Sequence, residues 1–310
     1  MDNVARGIRR CLSAFLFLIA TAANAGEYTP LFKPFHDKAG HLKIAIRKNV
    51  EAGKTAYLSV DPYSFGTSMI KDKELAKPAG PEWKNTPYGK ALIKYTAPGH
   101  GLQDSGLVAG NSTKGLFLTV DLCPSHKPLD TELFEAAMKL PAFKDRPVPI
   151  AIAVSGLWMD EHKHDMDWVL GKIKEKRLKV TWVNHSWSHP YDFQKPIEEN
   201  FLLKPGVDFE KEVLEEERAL LRRGVAPSPF FRFPGLVADK AHLERLKSLS
   251  LIPIGANAWL AKGEEPGVGS VILVHGNGNE PEGIRRLLEF FDGKDGNIEL
   301  RPLEEAFGRK

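Results

Sequence analysis

Cysteine is scarce in this sequence of 310 residues, which contains only Cys11 and Cys123. A disulfide-rich scaffold is therefore excluded. Glycine and proline, at 27 and 22 residues, are too few for a collagen-like or low-complexity chain, and 42% hydrophobic residues are too many for a disordered one. A chain of this length is expected to fold as one large barrel-like domain or as two smaller domains.

Long apolar segments are also missing. The apolar run near the start, Cys11–Ala20, is too short to cross a bilayer comfortably, and three arginines precede it. Because Ala23–Ala25 has the small-x-small pattern of a cleavage site, residues 1–25 are predicted to be a secretory signal peptide, with an uncleaved anchor as the alternative. We therefore expect an exported protein, periplasmic or extracellular, without stable membrane insertion.

The sequence has no excess of either charge. Its 43 basic and 40 acidic residues give a net charge of +3, and removing residues 1–25, with three arginines and one aspartate, leaves +1. This balance provides no electrostatic basis for binding nucleic acid or an anionic membrane. Removal of the predicted leader also leaves Cys123 as the only cysteine, so an intrachain disulfide is not expected.

Two parts of the chain differ in residue composition and in the length of their apolar runs. Residues 26–114 are rich in proline, glycine, lysine and tyrosine and have only short apolar runs. We predict an N-terminal extension there, formed either by extra strands packed on the main domain or by a lid over a site. Residues 115–310 are predicted to form the main domain.

In the main domain, short apolar runs alternate with amphipathic helices, which is typical of parallel strands covered by helices. About seven strands favour a distorted or incomplete (β/α) barrel over a regular eightfold one. The predicted strands are 116–120, 148–154, 178–183, 229–232, 251–254, 271–274 and 298–300, and the predicted helices are 131–140, 166–177, 208–223, 240–249 and 282–291.

Polar side chains follow five of the predicted strands. Because the carboxyl ends of parallel strands form one face, these side chains are expected to converge there on a single site. They are Asp121, His185 with His189, Arg232, Asn257 with Trp259, and His275.

His185 and His189 lie four residues apart in the segment HSWSH. On one helical turn both imidazoles would point the same way, as a zinc ligand pair requires. The competing interpretation is two exposed or hydrogen-bonded histidines. Their position directly after a predicted strand favours a metal site.

Five short motifs, spread over about residues 116–307, resemble in order those of the polysaccharide deacetylases of the NodB-homology type. The segment LTVDLCPS at 118–125 is similar to the family's TFDDGPS, HSWSH at 185–189 to its His-Ser/Thr-x-x-His motif, FRFPG at 231–235 to Arg-x-Pro, NAW at 257–259 to the Asp/Trp motif, and LVH at 273–275 to Leu-x-His. The resemblance implies a metal-dependent hydrolase that removes acetyl groups from an acetylated glycan, by N- or O-deacetylation, through a metal-activated water.

The resemblance also implies a role for each motif residue. Two histidines would hold a divalent metal, with zinc favoured, a carboxylate paired with an arginine would be the general base, and a third histidine would be the general acid. The two metal-binding histidines are His185 and His189. The general base is Asp121, paired with Arg232, and the general acid is His275. The residues implied for the substrate pocket are Trp259, Trp187, Pro234 and Asn257.

The first motif departs from the family pattern at a metal ligand. The family's second aspartate, normally the third ligand, is replaced by Leu122, which cannot bind metal. Four substitutes are open: Asp121 itself, the thiolate of Cys123, a carboxylate from another loop, or water. Cys123 is a candidate extra ligand because thiolates bind zinc well. The competing interpretation of Cys123 is a small buried apolar side chain.

A second departure lies at Asn257, where the family often has an acidic residue that tunes the general acid. The proton affinity of His275 is therefore expected to be lower than in relatives. Together, Leu122 and Asn257 favour an alternative function, a catalytically impaired deacetylase-like protein that binds carbohydrate. A third interpretation keeps the hydrolase but gives it a non-sugar amide as substrate. Retention of the proposed base and acid favours the deacetylase.

Overall fold

The computed structural model describes residues 26–98, 101–110, 115–293 and 298–308. The predicted signal peptide, residues 1–25, lies outside this range. None of the described helices is both long and apolar enough to cross a membrane.

The described chain begins with an antiparallel sheet of five strands, in the order β4-β3-β2-β1-β5, followed by a helix. Their bounds are β1 Glu27–His36, β2 Leu42–Glu51, β3 Lys54–Val60, β4 Thr67–Lys71, β5 Lys77–Pro78 and α1 Pro87–Tyr95. The side chain of Thr86 accepts a hydrogen bond from the backbone N–H of Gly89 and so caps the start of α1.

The rest of the chain alternates strands with helices. In chain order these elements are β6 Phe117–Leu122, α2 Thr131–Lys139, β7 Val148–Val154, α3 Gly156–Glu161, α4 Lys163–Lys174, β8 Leu178–Asn184, α5 Phe209–Arg222, β9 Phe230–Phe231, α6 Lys240–Ser248, β10 Ile252–Pro253, β11 Ala258–Trp259, β12 Val271–His275 and α7 Pro281–Asp292.

The seven strands β6–β12 form one curled parallel sheet, in the order β10-β9-β8-β7-β6-β12-β11. The predicted distorted (β/α) barrel with seven parallel strands is confirmed. One predicted strand is wrong: of residues 298–300 only Leu300 makes an isolated bridge, to Leu116, and the seventh strand is β11 instead.

Alternate residues of the central strands face two different apolar layers. Leu118, Val120 and Leu122 pack with the covering helices. The odd-numbered residues of β6 point into the barrel. One of them, Phe117, joins a cluster that includes Ile44 and Ile46 of β2. Asp121 therefore projects to the inside of the barrel, near the carboxyl end of β6.

The N-terminal sheet covers the end of the barrel where the parallel strands begin. The buried guanidinium of Arg47 in β2 donates to both carboxylate oxygens of Glu217 in α5 and to the carbonyl oxygen of Leu249, just before β10. The hydroxyl of Tyr88 in α1 donates to the carbonyl oxygen of Ser250. These bonds place the sheet away from the strands' carboxyl ends.

A short segment links the end of β10, an edge strand of the curled sheet, to the start of β12, the strand next to the other edge. Leu107 forms a parallel bridge with Ile254 beyond β10, and Ala109 forms an antiparallel bridge with Ser270 before β12. Residues 101–110 are thus hydrogen-bonded to the barrel, while the domain boundary at residue 115 stays a prediction.

Candidate active site

A cavity of about 630 Å³ lies at the carboxyl ends of the parallel strands. Asp121 and His275 face each other across the β6–β12 pair, and His185 follows β8. The cavity is lined by Asp121, Cys123, Pro124, His185, Ser188, His189, Pro190, Tyr191, Phe201, Gly235, Leu236, Trp259, Leu273, His275, Asn279 and Glu280.

Asp121 is buried and forms an ion pair with Arg232, which is also buried. Nη1 of Arg232 donates to Oδ1 of Asp121 over 2.5 Å and to Oγ1 of Thr119 over 2.7 Å, and Nη2 donates to the carbonyl oxygen of Gly255. Burial opposes ionisation of Asp121, but the charge of Arg232 outweighs it and lowers the pKa of the carboxyl group. Asp121 is therefore a fixed carboxylate at neutral pH.

His185 is buried, and the bond that it makes sets its tautomer. Its Nδ1 lies 2.8 Å from the carbonyl oxygen of Arg232, which can only accept, so Nδ1 carries the proton. Burial lowers the pKa of His185 to about 4. The ring is thus neutral, and its Nε2 lone pair faces Oδ2 of Asp121 at 3.8 Å and Sγ of Cys123 at 3.5 Å.

His189 stands beside His185, with the two ring centroids 4.7 Å apart. The five residues 185–189 do not form a helical turn, because Ser186 and His189 have positive φ angles of 66° and 44°. The helical explanation for the spacing is wrong, although the two rings do meet. The turn is held by the hydroxyl of Ser186, which accepts from the backbone N–H of His189.

The loop with the two histidines is also fastened to the start of α3. The backbone N–H groups of Gly156 and Leu157 donate to the carbonyl oxygens of Ser186 and Trp187. The ring of Trp187 packs so closely on Gly156 that a Cβ atom there would overlap it. Trp187, predicted for the substrate pocket, packs against the core and does not line the cavity.

Glu280 joins two residues of the predicted site. Its Oε2 lies 2.8 Å from Nδ1 of His275 and accepts a hydrogen bond of 2.7 Å from Nε1 of Trp259. Burial acts to lower the pKa of His275, but the negative charge of Cys123 and the bond to Glu280 outweigh it and raise that pKa well above its ordinary value. Glu280 therefore gives His275 an acidic partner that the motifs do not predict.

Sequence reasoning missed Glu280 because it lies in an irregular loop outside all five motifs. The available signal was an acidic residue five positions after a candidate general acid, just before the proline that starts α7. Asn257, at the position expected to tune His275, instead accepts from the backbone N–H of Val271 and lines a neighbouring smaller cavity.

The Arg-x-Pro segment is only partly in the cavity. Gly235 and Leu236 line it, whereas Pro234 is buried at the start of the short helix Pro234–Leu236 and is not among the lining residues. The ring of Phe201 packs directly on Gly235. Gly235 has φ +63° and no room for a side chain, so both conformation and contact require glycine.

An aromatic pair forms one wall of the cavity. Tyr191 stacks on Phe201 with ring centroids 5.2 Å apart, and Tyr191 is 64% exposed. Sequence reasoning also missed this pair, because its members lie in the irregular stretch between β8 and α5 and belong to no motif. An exposed ring at a cavity mouth offers an apolar face for stacking.

A larger cavity, of about 1260 Å³, is formed by the N-terminal sheet, α1 and Phe307. None of the residues predicted for the site lines it. Within the described residues, the buried groups with displaced pKa values that face a cavity, Asp121, Cys123 and His185, all line the smaller one. Half-buried His275 lines it too, which makes that cavity the candidate active site.

The donor atoms at this site fit a metal ion. One ligand atom each from Cys123, His185 and His189 lie within 4.8 Å of one another. A metal-binding histidine usually donates its second ring N–H to a carboxylate or a backbone carbonyl, as His185 does to Arg232. Leu122 is fully buried among the covering helices and faces away from the cavity.

The chain matches no family model. Solved structures similar to it include a family 4 carbohydrate esterase from Bacillus anthracis, at 18% identity over 71% of this chain and 90% of that one, with a TM-score of 0.49. A peptidoglycan N-acetylglucosamine deacetylase is 18% identical over 66% of this chain and 93% of that one, with a TM-score of 0.47.

A third similar structure is a family 4 pseudoenzyme from Bacillus anthracis, at 13% identity over 66% of this chain and 70% of that one, with a TM-score of 0.46. The chain resembles the polysaccharide deacetylases. The three similar structures are a carbohydrate esterase, a peptidoglycan deacetylase and a pseudoenzyme.

Proposed function

We propose that this protein is an exported, metal-dependent deacetylase that removes acetyl groups from an acetylated glycan, by N- or O-deacetylation. The observation that carries the proposal is that one cavity holds a buried carboxylate, two adjacent imidazoles and, apart from them, an imidazole bound to a carboxylate. Hydrolysis of an amide or ester needs a base, a place for an activated water and an acid for the leaving group.

His185 and His189 would hold the metal, which we propose to be zinc. When bound, such an ion supplies a water of lowered pKa and polarises the acyl oxygen. Asp121 accepts the proton of the attacking water at Oδ2, since Oδ1 is occupied by Arg232. Arg232 keeps that carboxylate ionised and fixed in orientation.

His275 is the proposed general acid. The bond to Glu280 favours the protonated ring and fixes it through Nδ1. With Nδ1 held by Glu280, Nε2 is the proposed donor of a proton to the leaving nitrogen or oxygen, and the ring also contacts the thiol of Cys123. Trp259, held by the same carboxylate, shields this ring on the side of the cavity.

A glycan is the substrate class that the cavity wall favours. Sugar rings present flat apolar faces as well as hydroxyl groups, and the exposed ring of Tyr191, backed by Phe201, offers a surface for such a face. We further propose that residues 1–25 direct export and that residues 115–310 form the catalytic domain, with 26–114 as its N-terminal extension.

The base assignment is tested with Asp121→Asn, which keeps an oxygen acceptor for Arg232 while removing the charge that takes the proton. We expect kcat to fall by roughly 10²- to 10⁴-fold, with glycan affinity nearly unchanged. The measurement is acetate release from N-acetylglucosamine oligomers and from an O-acetylated polysaccharide, beside calorimetric binding.

Asp130→Asn is the matched control. Asp130 caps the start of α2, where asparagine caps equally well, so this variant is expected to behave as the wild type. Unchanged turnover in Asp121→Asn would rule out Asp121 as the base.

A second candidate function is carbohydrate binding without catalysis. It is favoured by Leu122, whose side chain is buried in the core and leaves the family's third ligand position without an oxygen donor. Glycan binding without acetate release by the wild-type protein, together with failure to retain zinc, would favour this function over the deacetylase.

A further inference from the structure

Three ligand atoms from different side chains come together beside Asp121. Within the described ranges, the atoms of Cys123, His185 and His189 are the only trio of histidine, cysteine or carboxylate donors that all lie within 4.8 Å of one another. No carboxylate oxygen belongs to the trio. Cys123 and His185 are buried, and His189 borders the cavity.

The backbone around Cys123 is fixed from two sides. Ser155 donates both its backbone N–H and its hydroxyl to the carbonyl oxygen of Leu122, and the buried amide of Asn277 donates to the carbonyl oxygen of Cys123 over 2.6 Å. Leu122 faces the core, and the next side chain turns towards the cavity. The thiol is therefore held in place by contacts that do not involve its sulfur.

The spacing of the sulfur matches that of two ligands on one ion. Zinc lies about 2.3 Å from sulfur and about 2.05 Å from imidazole nitrogen, so two such donors on a tetrahedron are about 3.6 Å apart. Sγ of Cys123 and Nε2 of His185 are 3.5 Å apart. Nε2 is free to bind because the proton of His185 lies on Nδ1.

Asp121 is less suited to the same task. Its Oδ1 is bound to Arg232, and its Oδ2 lies 3.8 Å from Nε2 of His185 without belonging to the trio. A carboxylate bound to a metal would also lose basicity. The arrangement thus separates a carboxylate held by arginine from a thiol that lies beside His185 and His189 and also contacts His275.

We propose that Sγ of Cys123 is the third protein ligand of the metal site, completing a Cys-His-His set with His185 and His189. This inference rests on the proposed function, in that it assumes a metal at the two histidines. A thiolate carries the same charge as the carboxylate of the family's usual third ligand. Replacing aspartate by Cys123 therefore leaves the net charge of the ligand set unchanged. Because a thiolate is a softer donor, the site is expected to prefer zinc or cobalt to magnesium or manganese.

The test is cobalt substitution of the full chain carrying Cys11→Ser, so that Cys123 is the only thiol. The protein is stripped with a chelator and titrated with Co²⁺ while metal content and the near-ultraviolet spectrum are recorded. We expect one Co²⁺ per chain and an intense thiolate-to-cobalt charge-transfer band, which only Cys123 can supply.

Two variants extend the test. Cys123→Ser is expected to abolish the band and weaken Co²⁺ binding by more than about 100-fold, since loss of an outer partner alone costs 10- to 100-fold. Cys123→Asp is expected to retain the metal without the band. Bound Co²⁺ should also protect the thiol from alkylation by iodoacetamide in the unsubstituted protein.

The outcomes separate this inference from the function on which it rests. One bound Co²⁺ without a charge-transfer band overturns Cys123 as a ligand and leaves the histidine metal site intact. No bound metal in the unsubstituted chain overturns the metal-dependent function as well. The band in the protein with native Cys123 decides the matter even where Cys123→Ser does not fold.

Discussion

At the scale of single residues, Glu280 orients the proposed general acid and, with Cys123, raises its pKa. One carboxylate oxygen contacts both His275 and Trp259, so the ring of His275 is oriented and its protonated form is favoured by the same group. Burial opposes the ionisation of Glu280, but its bond to His275 outweighs this effect and lowers the pKa of the carboxyl group. The two groups therefore carry opposite charges at neutral pH.

Glu280→Gln is expected to lower the pKa of His275, because glutamine keeps an acceptor for Nδ1 but removes the negative charge. An acid must be protonated to act, so the alkaline limb of the activity profile should move to lower pH. The measurement is the pH dependence of kcat on an acetylated glucosamine oligomer.

Glu282→Gln provides the matched control for Glu280→Gln, since Glu282 lies two residues away and pairs with Arg285 and Arg286 at the surface. It should leave the pH profile unchanged. An unmoved alkaline limb in Glu280→Gln would remove Glu280 from the tuning of the acid.

The site residues that sequence predicted and those that it missed differ in where they lie. Asp121 and His275 lie at the ends of strands and His185 directly follows one, and strand ends are visible as the limits of apolar runs. Glu280 and Phe201 reach the cavity from irregular loops, whose course depends on tertiary contacts and leaves no periodic signal. The path of Trp187 into the core depended on the glycine opposite it, which no local pattern reveals.

At the scale of elements, the first residues of α3 support the loop that carries His185 and His189. The helix begins at Gly156, whose backbone N–H donates to Ser186, and the ring of Trp187 occupies the space where a side chain would stand. The position of both histidines therefore depends on a helix that has no residue in the cavity.

Gly156→Ala is expected to push Trp187 and its loop outward. The overlap should reduce stability by about 1–3 kcal/mol, as for other overpacked positions. It should also weaken metal binding at the two histidines. The measurements are the unfolding midpoint in urea and a zinc titration.

Gly171→Ala is a suitable comparison, because Gly171 lies inside α4 with no atom within 4 Å of the added methyl group. Alanine favours a helix, so this change is expected to stabilise by up to about 1 kcal/mol. Equal unfolding midpoints and equal zinc affinities of the two variants would contradict a supporting role for Gly156.

Element prediction succeeded where burial makes a strand uniform. All seven residues of β7 are buried, and its bounds at Val148–Val154 are those read from the sequence. The strands β9, β10 and β11 have two residues each, too few for a pattern, and β11 was missed. The N-terminal sheet was not resolved into strands because its polar and apolar residues alternate irregularly.

At the scale of the whole molecule, the N-terminal sheet packs on the end of the barrel where the parallel strands begin and lies away from the candidate active site. Among the described residues of 26–98, none lines the site cavity. The buried pair of Arg47 and Glu217, with the hydroxyl of Tyr28 donating to the same carboxylate, joins this sheet to α5. The alternative of a lid over the site is therefore wrong for this stretch.

Arg47→Met is expected to destabilise the protein by about 3–5 kcal/mol, because it leaves the buried Glu217 without its counter-charge. The double variant Arg47→Met/Glu217→Leu should lose less, since no unpaired charge remains. Urea unfolding followed by tryptophan fluorescence measures both.

Lys43→Met, on the same strand, removes a partly exposed pair with Asp61 and should cost no more than about 1 kcal/mol. If Arg47→Met cost no more than this surface change, the buried pair would not hold the sheet to the barrel.

The order of strands also has a consequence for how the chain acquires its structure. β6, the first strand of the barrel, lies between β7 and β12, so its second neighbour is made only after about 150 further residues. The bridges from Leu107 to Ile254 and from Ala109 to Ser270 span similar distances along the chain. Closing a long loop costs entropy before the stabilising contacts between its ends can form. The barrel should therefore close late and slowly. A nascent chain that ends before residue 271 would thus expose unpaired strand edges, which are prone to non-native pairing.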